Sequence, residues 1–97
     1  MANGATPLYT ASEKGFADVA RMLVDAGADV NQPDKNNRSA LGIAAFVGHA
    51  DVVRLLISSK ADLNIKSQWD KTPLTKAIDN NKPEVAALLR AAGAREA

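Results

Sequence analysis

Thr6-Pro7-Leu8-Tyr9-Thr10-Ala11 returns as Ser39-Ala40-Leu41-Gly42-Ile43-Ala44, and again as Thr72-Pro73-Leu74-Thr75-Lys76-Ala77. Each return is 33 residues on, with no gap. The same step links Val19, Val52 and Val85, and then Leu23, Leu56 and Leu89. A fixed period of this length marks a stacked array, because one such unit cannot bury its apolar face alone. The 97 residues therefore read as one domain of three units, at about 1–33, 34–66 and 67–97. An array directs attention to an extended binding surface rather than to a catalytic pocket.

The middle copy shows the unit. Asp34-Lys35-Asn36-Asn37-Arg38 is a cluster of turn formers. Ser39 is placed to cap a helix by accepting from the next turn's N–H groups. Leu41, Ile43, Ala44 and Ala45 begin a short apolar helix, and Gly48 ends it. A second helix is predicted from about Asp51 to Ser59, with Val52, Val53, Leu55, Leu56 and Ile57 as its apolar face. Ala61-Asp62-Leu63-Asn64 leads to the next turn.

Composition narrows the function classes. Hydrophobic residues make up 46% of the chain but aromatic ones only 4%, so the core is built from thin aliphatic helices. The net charge of +1 gives no strong attraction to polyanions. Cysteine is absent, which excludes disulfides and thiolate metal sites. No signal peptide is visible, and no apolar stretch approaches the ~20 residues of a membrane span. An intracellular, cytoplasmic location is expected, so the sequon Asn37-Arg38-Ser39 reads as accidental. His49 is the only histidine and lacks partners for a metal site. No phosphate loop, nucleophile triad or clustered carboxylate pair appears. No catalysis, cofactor or metal is expected.

The chain closely resembles the ankyrin repeat. The hexapeptides above carry the likeness, with Gly27-Ala28-Asp29-Val30-Asn31, Lys60-Ala61-Asp62-Leu63-Asn64, Gly48-His49 and the aliphatic pairs Val52-Val53 and Leu55-Leu56. It covers residues 3–95. The resemblance implies an all-α solenoid of three helix-loop-helix units with short β-hairpin tips. It departs from the family in three ways. Tyr9, Gly42 and Thr75 stand where the family has a histidine that ties down the loop. Ala40 replaces a proline, and Lys60 replaces the linker glycine. The middle unit is thus the least ideal copy and is expected to limit stability. Reverting Gly42 to His and Lys60 to Gly is expected to raise the melting temperature. Lys76, Lys82 and Arg90 replace Ile43, His49 and Ile57, which reads as a polar C-terminal cap. No polar cap precedes Thr6, so Ala20 and Val24 are expected to be partly exposed, either in a compact three-repeat protein or in a piece of a longer array.

The resemblance also implies where function sits. Partners of this family lie along the concave face, formed by hairpin tips and the outer positions of each first helix. By register the partner-binding candidates are Lys35, Arg38, Phe46, Val47, Trp69, Lys71 and Asp79. Trp69 is the single tryptophan, set in the polar turn Ser67-Gln68-Trp69-Asp70-Lys71. It reads either as a lid over the stem of Lys35 or Arg38 or as a binding anchor, since tryptophan is enriched at interface hot spots. Phe46 either folds back onto Leu41 and Ile78 or, with Val47, extends an apolar patch. Lys35, Arg38, Lys66 and Lys71 form either a solvated rim or a selector for acidic partners. Tyr9 reads as a structural stand-in for the missing histidine. Some family members are hydroxylated at the linker asparagine, here Asn31 and Asn64, and Leu23 and Leu56 eight residues earlier are compatible with that.

The expectation is a non-enzymatic, monomeric module that binds a protein or peptide, without nucleic-acid or membrane partners. The alternatives are a structural fragment that self-associates weakly through its N-terminal face, and a scaffold with no natural partner.

Overall fold

A computed structural model describes residues 6–33, 38–66 and 71–95. Six helices follow in order: α1 (Pro7–Lys14), α2 (Ala17–Asp25), α3 (Ala40–Val47), α4 (Ala50–Ser58), α5 (Pro73–Asp79) and α6 (Pro83–Ala91). They form three helix-loop-helix pairs. The first helices stack as α1, α3, α5 and the second as α2, α4, α6. The described residues are helical or irregular, and the hairpin tips expected near 34–37 and 67–70 lie outside them.

The repeated Thr or Ser starts every first helix. Thr6, Ser39 and Thr72 adopt extended backbone, and each side-chain oxygen accepts from the N–H three residues on. The Ser39 bond to the Gly42 N–H is 3.0 Å and buried. Capping of this kind is worth about 1 kcal/mol. The first helices end before a left-handed residue, Gly15 (φ 75) and Gly48 (φ 95), with Asn81 (φ 56) at the same register in the third unit. The observed α4 starts one residue before the predicted span and ends one residue before it.

The core is a line of small and aliphatic side chains along the stack. Leu41, Leu56, Leu74, Leu89, Val52, Val53 and Val85 are fully buried. Ala11, Ala44 and Ala77 are buried along the stacked first helices, where a small side chain permits close packing.

The linkers carry a second, polar ladder. The Asn31 side-chain oxygen accepts from the Asp62 N–H at 2.6 Å. Asn64 accepts from the Arg95 N–H at 2.9 Å. Each asparagine therefore ties its unit to the next rather than only closing its own turn. Asp29 and Asp62 accept from the N–H two residues on, which holds the turn that aims the asparagine.

Lys60 is strained as the sequence implies. Its φ is 69, and the same register holds Gly27 (φ 98) and Gly93 (φ 99). Replacing Lys60 with Gly should stabilise the fold by about 1 kcal/mol, the cost of a left-handed non-glycine residue; chemical denaturation checks this, and an unchanged midpoint would refute it. The paired change at Gly42 gains less. A Cβ there would stand 3.1 Å from the Lys76 ammonium and 3.2 Å from the Ser39 hydroxyl, so it would press on the helix cap.

Two expectations about the ends need correction. Ala20 is fully buried, whereas Val24 is partly exposed as expected. The exposed large apolar residues of α2 are Val19 and Met22. One residue along a helix turns the side chain by about 100°, and that separates the surface facing outward from the one facing α1 and α4. In the third unit, Lys82 and Lys76 do not cap the outer face. The Lys82 stem lies over Gly48, and the Lys76 ammonium lies beside Gly42, so both rest on the preceding unit. Of the three substitutions read as a cap, Arg90 alone is exposed.

Candidate functional site

The surface at the C-terminal ends of the first helices holds most of the candidate binding residues that the structure describes. α3 places Phe46 and Val47 in its last turn, one residue before the left-handed Gly48. Phe46 is 48% exposed and Val47 36%, while the adjacent Ala44 and Ala45 are fully buried. Phe46 therefore does not fold back into the core, and Ile78 on α5 is exposed as well. The backbone at this site is rigid, because the preceding turn is locked between α1 and α5 and the following turn by the Gly48 cap.

Register places Glu13, Phe46 and Asp79 at one position on α1, α3 and α5. The row is thus acidic, aromatic, acidic. Asp79 pairs with Lys71, which enters from the segment ahead of α5. Both side chains remain partly exposed, and Asp79 holds the register of Phe46 on the next first helix. A half-exposed pair of this kind adds little to stability, and its effect is to fix the lysine beside the patch.

Arg38 is held elsewhere. Its guanidinium lies over the Tyr9 ring, 5.2 Å from the centroid. Tyr9 itself is buried. The contact joins the first and second units and confirms a structural place for the ring where the motif histidine is missing. The contact crosses the stack rather than the hairpin, which the linear pattern did not reveal. Lys35 and Trp69 lie outside the described residues.

His49 also joins two units. Its Nε2–H donates to the Glu13 carbonyl at 3.0 Å, at the end of α1. Arg54 bridges the second helices, with 3.0 Å to Asp51 and 2.7 Å to Glu84. These groups serve stacking. Among the described residues, no three His, Asp or Glu side chains are placed to hold a metal ion. No described helix is long and apolar enough to cross a membrane.

The geometry is a repeated helix pair with conserved spacing of caps, core and linker ties. A family model of ankyrin repeats in three copies matches residues 31–96, and a single-repeat model matches residues 3–35. The chain belongs to the ankyrin-repeat family. Ankyrin repeats generally mediate protein–protein interaction, and the family is a non-catalytic module type. The chain is similar to human "Ankyrin repeat and KH domain-containing protein 1", at 50% identity over 44 residues, covering 43% of this chain and 2% of that protein. "Ankyrin repeat domain-containing protein 17" of human and of mouse matches with the same identity and coverage. The chain thus spans about 2% of the length of these relatives. Phe46 and Val47 lie outside the core that the repeated positions build.

Proposed function

We propose that this ankyrin domain is a non-enzymatic interaction module that binds a protein or peptide partner at the first-helix ends and hairpin tips, through Lys35, Arg38, Phe46, Val47, Trp69, Lys71 and Asp79. The observation that carries this reading is the exposure of Phe46 and Val47 on a helix whose neighbouring side chains are fully buried. Two adjacent apolar side chains on a preordered backbone lose little entropy when a partner covers them. The Lys71–Asp79 pair, at the register of Phe46 on the neighbouring α5, supplies polar groups. The expected partner carries an apolar side chain for the patch and polar groups for the pair. Nucleic acid and membrane are not among the expected partners, given the net charge of +1, and the location is expected to be cytoplasmic.

The test is binding to a captured partner by wild type and by Phe46→Asp. The helix is retained in this variant, because the side chain points to solvent, and circular dichroism checks that. Loss of about thirtyfold in affinity is expected if Phe46 acts as a hot spot. Equal affinity of a folded Phe46→Asp would remove the patch from the site. A structural role is the second reading, favoured by the exposure of Val19 and Met22 on α2.

A further inference from the structure

Of the three first helices, only α3 is built without a polar side chain, as Ala40-Leu41-Gly42-Ile43-Ala44-Ala45-Phe46-Val47. Its buried side needs none, but its outward side has none either. The outward positions of α1 are Thr10, Glu13 and Lys14, and those of α5 are Lys76, Asp79 and Asn80. At the same registers α3 places Ile43, which is half-buried, and Phe46 and Val47, which are exposed. The centre of the face is thus an apolar column one helix wide, between two helices that carry charges.

The Lys76 cation enters that column. Gly42 has no side chain, and the ammonium stands against it, 3.1 Å from where a Cβ would lie. Lys76 belongs to α5, so its side chain crosses the stack to reach α3. At the register of Gly42 the other units carry larger side chains, Tyr9 and Thr75. The glycine therefore decides where the charge is placed. Gly42 precedes Phe46 by four residues, which is about 6 Å along a helix. In an extended chain, side chains two residues apart project to the same face at roughly 6.6 Å. An ammonium and a phenyl ring at this separation match an acidic and an apolar side chain at such positions. Asp79, beside the column on α5, is already paired with Lys71 and does not oppose a further carboxylate.

We propose that Lys76, laid over Gly42, makes this face selective for an extended partner segment in which a carboxylate side chain stands two positions from an apolar anchor. The carboxylate meets the Lys76 ammonium, and the anchor lies on Phe46 and Val47. This selectivity rests on the Phe46 face being the binding surface, as proposed above, and adds the chemistry of the partner.

The probe is a library of random heptapeptides displayed on phage and selected on the intact chain. Peptides retained by wild type and lost by Phe46→Asp are expected to carry Asp or Glu two positions from a large apolar residue. For one such synthetic peptide, Lys76→Met is expected to weaken binding about fivefold, the scale of a partly exposed ion pair. Replacing the peptide's acid by its amide should weaken binding by the same factor. The two changes together are expected to cost little more than either alone, which is the signature of a direct pair. Circular dichroism checks that both protein variants are folded. Peptides that depend on Phe46 but show no acidic preference, or losses that simply add, would overturn the selectivity and leave the Phe46 surface standing. A selection that yields no peptide dependent on Phe46 would overturn both.

Discussion

Leu56→Ala is expected to lower stability by about 3 kcal/mol, within the range for a buried leucine truncated without collapse of its surroundings. Leu56 is fully buried in α4, at the centre of the stack. Units contact only their neighbours in such an array, so the middle unit transmits every tie between the ends. A cavity there weakens α4 against both α2 and α6. For a domain of this size the melting temperature should fall by roughly 15 °C. Leu23 occupies the same register in the first unit but is only half-buried, so Leu23→Ala should cost clearly less. Thermal melts of the two variants decide this. Equal losses would mean that the middle unit has no special weight.

Gly15→Ala is expected to cost about 3 kcal/mol, through strain and displacement together. Gly15 has φ 75, and a Cβ there would stand 2.7 Å from two atoms of the His49 ring. That ring is not a flexible tail. It is held by its own bond to the Glu13 carbonyl, and moving it would break the bond and leave the carbonyl unpaired, at about 1 kcal/mol more. Gly27→Ala is the control. Its φ of 98 carries the same left-handed strain, but a Cβ there would meet nothing within 4 Å. It should cost only about 1 kcal/mol. The difference between the two variants measures the contact between units, and a difference near zero would show that His49 moves freely.

Much of the candidate surface was visible as register, but its composition was not. The resemblance placed Phe46 at an outward position and left open whether it folds back, and the side chain is 48% exposed. The fate of Arg38 was not readable. The residue that it covers, Tyr9, is 29 positions away, and no local pattern encodes a pairing across the stack. Lys82 misled for a related reason. A charged side chain in a terminal unit suggests a solvated cap, yet its aliphatic stem fits over Gly48 and leaves the ammonium to the surface.

Helix starts, helix ends and the stacked class were legible in the residues alone, because they depend on short-range chemistry. A hydroxyl caps the N–H three residues on, and a glycine accepts positive φ wherever it stands. Repetition at 33 residues then made each local signal count three times. Which face of α2 stays bare was decided by tertiary contact. Val19 and Val52 are the same residue at the same register, and one is exposed while the other is buried. The difference lies in the neighbouring unit, and burial is a property of what a side chain meets rather than of the side chain itself.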